Sequence, residues 1–310
     1  MGPRKNVGNP LILEIRGNSL DDGPGIRSVV FFKGCPLSCV WWQNPEGKSV
    51  VTEIAFDANE CVGCDNCMKI CPENALARKN PYFIDRTRCS LCFECTAVCP
   101  SEALSRVGRV MDADKIMNTV MKDKPFYDIS GGGVTFSGGE PTLFTDFTAE
   151  LLSGLKKLKI HTLLETCGFF DMKTFQSALL PHLDMIYFDI KLIDDEDHRR
   201  YTGVSNERIL QNFKKLVEIT RNSSITILPR VPLIPGITDT ARNLQAIASF
   251  LSALGVRRAA LMSYNPLWIA KTNKLGSDNP FAGQNNFTSW MDAAKLKSCR
   301  DPFIDAGIEL

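Results

Sequence analysis

Cysteine is the residue type through which this chain can do chemistry. Twelve cysteines are spread unevenly over 310 residues, and eight of them form two matching sets in one stretch. The first set is Cys61, Cys64, Cys67 and Cys71, followed by Pro72. The second is Cys89, Cys92, Cys95 and Cys99, followed by Pro100. Both read C-x2-C-x2-C-x3-C-P. Each is followed by a glutamate and then an Ala-Leu pair, Ala75-Leu76 and Ala103-Leu104, so the stretch is an internal repeat. The x2 spacing lets successive backbone turns present three sulfurs to one iron–sulfur cube. The alternative is a pair of tetrahedral zinc sites, and the duplicated spacing with its prolines argues against it. Two further cysteines, Cys35 and Cys39, sit in a Pro-containing loop, Gly34-Cys35-Pro36-Leu37-Ser38-Cys39-Val40-Trp41-Trp42-Gln43-Asn44-Pro45-Glu46, just after the apolar run Val29-Val30-Phe31-Phe32.

Composition narrows the setting. The length suits one large α/β domain or two smaller ones. With 36 basic and 35 acidic residues the net charge is +1, which argues against a nucleic-acid partner bound by bulk charge. No apolar run approaches a membrane span, and residues 1–10 lack the apolar core of a signal peptide. The expected protein is soluble and cytoplasmic, with no membrane partner. In a reducing compartment, cysteines so spaced are metal ligands rather than disulfides.

The elements that must hold these groups follow from periodicity. Residues 11–16 alternate weakly as an edge strand, and residues 28–32 are a β-branched and aromatic run expected to be a buried strand. The composition changes between about 52 and 108, where the paired cysteine sets lie. After Gly108 helices and strands alternate. Helical stretches are expected at 112–122, 143–158, 172–180, 209–219, 240–254 and about 290–306, the first with Asp112 or Asp114 near its start. Strands are expected at 134–136, 162–166, 185–190, 225–229 and 259–263. Such alternation predicts parallel β/α units, with polar residues gathered at the strand C-termini. The glycine turn after Phe136, Ser137-Gly138-Gly139-Glu140-Pro141, is neither a Walker loop nor G-x-G-x-x-G. On its residues alone it is a strand-to-helix turn.

Two resemblances sharpen this picture. The duplicated run resembles that of bacterial two-cluster ferredoxins, where the fourth cysteine of each run ligates the other cluster. This implies Cys61, Cys64, Cys67 and Cys99 around one [4Fe–4S] cluster and Cys89, Cys92, Cys95 and Cys71 around a second. It also implies one-electron transfer, with a purely structural role for the clusters as the alternative. The segments Asp22-Gly23-Pro24-Gly25-Ile26-Arg27 and Gly34–Glu46 resemble the signature of glycyl-radical-enzyme activases. These are pyruvate formate-lyase activase-like members of the radical S-adenosylmethionine (SAM) superfamily. Their loop reads Cys-x3-Cys-x2-Cys. Cys35 and Cys39 fill the first two places, and the third holds Trp42, whose indole N–H is a donor and cannot replace a thiolate.

The resemblance covers residues 15–308, insert included. It implies an α/β fold: a partial (β/α)6 radical SAM barrel over 1–51 and 109–310, with an inserted two-[4Fe–4S] ferredoxin domain over 52–108. It implies that a third, SAM-binding [4Fe–4S] cluster passes an electron to SAM, and that the resulting 5′-deoxyadenosyl radical takes the α-hydrogen of a glycine. The partner is then a glycyl radical enzyme offering its glycine loop, and a flavodoxin or ferredoxin is the electron donor. Oxygen-sensitive chemistry of this kind implies an anaerobic cell.

Carried over residue by residue, Ser137, Gly138, Gly139 and Glu140 match the site for the SAM ammonium, with backbone carbonyls and the Glu140 carboxylate as acceptors. Glu165-Thr166 matches a position where some relatives carry aspartate then threonine. Asp189 and Lys191 match the family's D-x-K. Such carboxylates help hold a monovalent cation beside the SAM carboxylate, and Lys191 and Arg230 contact SAM or its surroundings. Cys35, Cys39 and Lys191 form the implied catalytic set. Asn265 stands where some relatives have a histidine that contacts SAM. Asp195, His198, Thr202, Gly203 and Asn206 extend the match.

Plainer readings stand beside these. Asp189 and Lys191 could be a structural ion pair. His161 and His182 read as structural, and Cys299 as a packing cysteine. Cys167 lies at a strand end and could supply the missing ligand, although some relatives carry a cysteine there without using it. Trp42 could plug the cluster's space. Two rival functions remain in view: a catalytically silent chain in which only the insert is metallated, and a radical SAM enzyme acting on a small molecule.

Overall fold

Seven consecutive residues, Arg27 to Lys33, are buried side chain after side chain. A run of valine and phenylalanine covered on both faces is what a central parallel strand requires. The computed structural model describes residues 10–42, 44–277 and 279–310; the expectation about an N-terminal signal segment therefore falls largely outside it, and so does Gln43 of the cysteine loop. The strands are β1 (Leu11–Ser19), β2 (Arg27–Lys33), β3 (Glu53–Phe56), β4 (Leu104–Val107), β5 (Arg109–Val110), β6 (Gly133–Gly138), β7 (His161–Thr166), β8 (Met185–Asp189), β9 (Thr226–Pro232) and β10 (Ala260–Met262). Eight form one sheet in the order β10-β9-β8-β7-β6-β2-β1-β5. The six from β2 to β10 run parallel and lie side by side in chain order, while β1 and β5 extend the β2 edge antiparallel. That is the strand order of an incomplete β/α barrel, with each C-terminal edge on the same side.

Helices connect the parallel strands at Thr145–Lys157, Met172–Ala178, Glu207–Thr220 and Ala241–Ala253, and Ala293–Asp305 follows the last strand. Asp112, Asp171, Thr240 and Asp292 cap helices by accepting from the backbone N–H three residues on, at 2.7, 2.8, 3.3 and 2.7 Å, a contribution of about 1 kcal/mol each. The main core packs against the sheet through residues such as Phe136, Leu164, Phe188, Phe213 and Leu251, each essentially inaccessible.

Residues 53–107 build a body of their own. β3 and β4 pair antiparallel, Glu53 opposite Val107 and Phe56 opposite Leu104. A second, smaller core gathers Ile54, Leu76, Phe83, Ile84, Cys95 and Leu104. This body is tied to the sheet by Lys33, whose fully buried amine donates to the Glu46 carbonyl at 2.7 Å and pairs with Glu53 at 2.5 Å. It is tied again by the Lys274–Asp57 pair at 2.5 Å.

Arg27 locks the opposite end of β2. It is fully buried, and it donates to Thr135 Oγ1 at 2.6 Å, the Val134 carbonyl at 2.8 Å and the Pro24 carbonyl at 3.2 Å. Burial pushes its pKa down to about 10. Gly25 brings the preceding turn against strand β6: its φ is +68°, and a Cβ there would lie 2.5 Å from the Gly132 nitrogen. Replacing Arg27 by methionine should therefore leave several buried acceptors unpaired and cost about 3 kcal/mol. A shift of the urea midpoint of the metal-free chain measures this, and an unchanged midpoint would contradict the assignment.

Candidate functional site

Five of the expected site residues converge at the C-terminal edge of the parallel strands. Arg230, on β9, is the hub. Its Nη1 donates to Glu165 Oε1 of β7 at 2.7 Å, and its Nε and Nη2 both reach Asp189 Oδ1 of β8 at 3.1 Å. Glu165 Oε2 accepts from Ser137 Oγ of β6 at 2.5 Å, and Asp189 Oδ2 accepts from Lys191 Nζ at 3.1 Å. The result is one chain of contacts, Ser137–Glu165–Arg230–Asp189–Lys191, crossing four adjacent strand ends. Two carboxylates face two cations, so the network is neutral within itself.

The two carboxylates titrate in opposite senses. Burial raises Glu165 above its ordinary value, although Arg230 and the Ser137 hydroxyl oppose it. Burial pushes Asp189 the same way, but Lys191 and Arg230 outweigh it and hold the carboxyl below the ordinary range. Lys191 and Arg230 are in turn raised: desolvation works against their charge, and the carboxylates more than offset it. Asp189, Lys191 and Arg230 are thus held in their charged forms, while burial pulls Glu165 toward its neutral form.

Glu140 plays a different part from a direct ligand. It is fully buried. Its Oε1 accepts from Thr142 N, Thr142 Oγ1 and Thr166 Oγ1 at 3.2, 2.7 and 3.0 Å, and its Oε2 accepts from Cys167 N at 2.7 Å. A carboxylate has about four lone-pair sites, and the chain's own donors fill them. Glu140 thus clamps the end of β6 to the end of β7, with Thr166 as part of the clamp. Gly138 and Gly139 run along Phe32 and Gly34: the Gly139 N–H donates to the Phe32 carbonyl at 2.8 Å, and a Cβ on Gly139 would fall 2.1 Å from the Gly34 carbonyl oxygen. Asn265 stays outside this network, its Oδ1 accepting from Leu267 N at 2.9 Å in a local turn.

The loop bearing Cys35 and Cys39 is held at both flanks. Gly34 N donates to the Gly47 carbonyl at 2.7 Å and Cys35 N to the Lys48 carbonyl at 3.2 Å. Across the mouth, Ser38 N and Val40 N donate to the carbonyls of Thr202 and Tyr201 at 2.7 and 3.0 Å. Those carbonyls end the helix Asp195–Thr202, which sequence periodicity did not reveal. Asp195 accepts from Ser205 Oγ and Asn206 N, Asn206 donates to the Leu192 and Ile193 carbonyls, and His198 lies against the Val204 carbonyl at 2.7 Å. These residues build the ledge on which the cysteine loop rests. Cys39 is buried beside Cys35 and Lys191, and burial raises its thiol to about 12. Trp42 is half-buried against the main core.

In the 53–107 body, Cys61, Cys64, Cys67 and Cys99 line one small pocket of about 20 Å³, together with Phe56 and Phe83. Cys95 lies among Cys89, Cys92, Cys71 and Cys67, and burial with those neighbours raises its thiol to about 11. Cys99 lines a pocket with the first three cysteines of the other run. Among the described residues no three His, Cys, Asp or Glu side chains converge on a point that would suit a single metal ion. Among the described residues no helix is long and apolar enough to cross a membrane.

Residues 29–244 match the family model of the radical SAM superfamily. The chain belongs to that superfamily. Among curated proteins it is 38% identical over 271 residues to the trans-4-hydroxy-L-proline dehydratase activating enzyme of Clostridioides difficile, covering 86% of this chain and 88% of that one. It is 34% identical over 297 residues to the choline trimethylamine-lyase activating enzyme of Oleidesulfovibrio alaskensis, covering 93% and 94%. Among solved structures it resembles a domain of a pyruvate-formate lyase-activating enzyme from Bacteroides vulgatus, at 24% identity and a TM-score of 0.46, over 58% of this chain and 97% of that one. Within the superfamily this radical SAM chain groups with the glycyl-radical-enzyme activating enzymes, as its loop and DGPGIR segments implied.

The Arg230 hub yields a direct test. Replacing it by glutamine strands two buried carboxylates and should cost about 3–5 kcal/mol. Adding Glu165→Gln should recover part of that loss, because one unpaired charge disappears with it. Denaturation midpoints of the two variants decide, and a double variant weaker than the single would rule out the pairing.

Proposed function

We propose that this chain activates a partner glycyl radical enzyme by reductive cleavage of SAM and removal of one glycine α-hydrogen. The observation that carries the reading is the pairing of the cysteine loop with the Ser137–Lys191 network at one edge of a parallel sheet, in a chain whose relatives are named as activating enzymes. No finding favours the catalytically silent alternative.

Each residue's task follows from its surroundings. The backbone carbonyls of the Ser137–Glu140 turn accept from the SAM ammonium, and Glu140 holds that turn against β7. Lys191 and Arg230 face the SAM carboxylate and its surroundings, with Asp189 and Glu165 keeping both cations in place and offering oxygen to a monovalent cation. Cys35 and Cys39 are two of the thiolates that hold the SAM-binding [4Fe–4S] cluster, and Trp42 is not the third. Bound there, the cluster supplies one electron to the SAM sulfonium and thereby opens its S–C5′ bond. The low exposure of Arg230 and Lys191, 13% and 9%, keeps water away from the groups that must bear charge.

The 53–107 body holds two further [4Fe–4S] clusters, Cys61, Cys64, Cys67 and Cys99 around one and Cys89, Cys92, Cys95 and Cys71 around the other. The pocket at the first set and the cysteines around Cys95 support this. They relay electrons from a flavodoxin or ferredoxin to the barrel mouth. Asn265, outside the strand-end network, shapes the rim where the partner's glycine loop enters.

Two measurements follow. Mixed anaerobically with SAM, a reductant and a glycyl radical enzyme of the dehydratase or lyase type, the reconstituted chain should produce a glycyl electron paramagnetic resonance (EPR) signal, with matching methionine and 5′-deoxyadenosine. Methionine formed with a small molecule and no partner radical would favour the rival substrate class. Serine at Cys61, Cys64 and Cys67 together should remove about four irons per chain, one cube's worth; zinc recovered in place of iron would contradict the electron-relay role.

A further inference from the structure

A cube that leaves one iron open to SAM needs three thiolates, and the loop provides two. Position 42 offers an indole, which has no lone pair for iron. The remaining ligand must come from elsewhere in the chain. Eight of the twelve cysteines belong to the 53–107 body. Cys299 is buried in the helix Ala293–Asp305 with Lys295, Asp239, Ser298 and Asp301 as its neighbours, away from the strand-end network. That leaves Cys167.

The structure places Cys167 where a ligand would have to be. It follows the last residue of β7, and Glu140 joins it to the cysteine loop: Glu140 N donates to the Gly34 carbonyl at 2.7 Å, while Glu140 Oε2 accepts from Cys167 N at 2.7 Å. Cys39 and Cys167 are 6% and 8% exposed, and Cys35 packs against the same core. The backbone at this point is fixed from several directions. Cys167 N donates to Glu140 Oε2 at 2.7 Å and Gly168 N to Thr166 Oγ1 at 3.0 Å, and Asn212 Nδ2 grips the Gly168 and Phe170 carbonyls at 2.9 Å each. Gly168 has φ +79°, and a Cβ there would lie 2.2 Å from the Phe188 ring. The strand end therefore turns tightly and delivers the Cys167 side chain at a set position. A metal centre needs that kind of pre-organisation in the residues that orient its ligands.

We infer that Cys167 replaces the missing loop thiolate and, with Cys35 and Cys39, completes the three-thiolate seat of the cluster at the barrel mouth. The inference rests on the radical SAM reading of this site. Each thiol releases its proton to solvent on ligation, as thiolate binding requires, and no oxidant or reductant takes part in that step. Seated this way, the cluster bridges two elements, the loop after β2 and the end of β7, instead of lying within one loop. Trp42, freed from ligation, packs against the core.

The test compares the anaerobically reconstituted full chain with its Cys167→Ser, Trp42→Cys and Trp42→Cys/Cys167→Ser variants, by iron content and by EPR of the reduced protein before and after SAM. The unaltered chain should carry about twelve irons and Cys167→Ser about eight, one cube fewer, with the SAM-responsive signal lost. The double variant should return to about twelve, which shows that the serine chain still folds. Equal iron in the unaltered chain and Cys167→Ser, or a gain of about four irons in Trp42→Cys, overturns the inference. Glycyl radical formed by the double variant, with no effect of Cys167→Ser on iron, would defeat the ligand assignment and leave the activase reading standing. Full iron in the unaltered chain that depends on Cys167, with no radical formed on any partner by any variant, would do the reverse.

Discussion

Arg230 is the contact on which the architecture of the site depends. Two carboxylates from adjacent strands cannot lie this close, largely out of water, unless a cation stands between them. The planar guanidinium does this with separate N–H groups for each, which a lysine at the same place could not match. Because Glu165 and Asp189 are spoken for, their positions are fixed, and Ser137 and Lys191 are fixed through them. Two carboxylates and two cations meet in it, and each ion pair is closed within the chain itself.

The cysteine loop is organised by a different principle. It has no regular structure of its own, so its backbone donors must be met by neighbours. Strand β2 and residues 47–48 meet them on one side, and the last carbonyls of the helix Asp195–Thr202 meet them on the other. The helix end is thus a support for the loop. This accounts for Asp195, His198, Thr202 and Asn206 fitting the family pattern while lying apart from the Arg230 network: they hold the helix and the turn after it in shape.

Much of this was legible in the sequence. The six parallel strands followed from alternation of apolar runs with amphipathic stretches. The residues at four strand ends were named from motifs, and the structure brings Ser137, Glu165, Asp189, Lys191 and Arg230 together. The direct-acceptor role expected of Glu140 met a carboxylate whose lone pairs were already filled, which no motif encodes because its partners include the distant backbone N–H of Cys167. The helices Asp195–Thr202 and Trp268–Lys274 were missed for a physical reason. The first is too charged to show an apolar face, and the second follows Pro266 in a short stretch with no clear period. Cys35 and Cys167 are 132 positions apart in sequence, and only the sheet order, which sets β2, β6 and β7 side by side, brings the segments that carry them together.

The way the 53–107 body joins the sheet bears on descent. The chain leaves through β3 and returns through β4, and Phe56 and Leu104 face each other across that pair. Entry and exit are neighbours, so the whole segment could be gained, lost or exchanged while the barrel's own connections stay intact. Only Lys33, Lys274 and the few groups that grip the segment from the barrel side would then need to change. A lineage could in this way exchange the whole 53–107 body without redesigning the strand ends that carry Ser137, Glu165, Asp189 and Arg230.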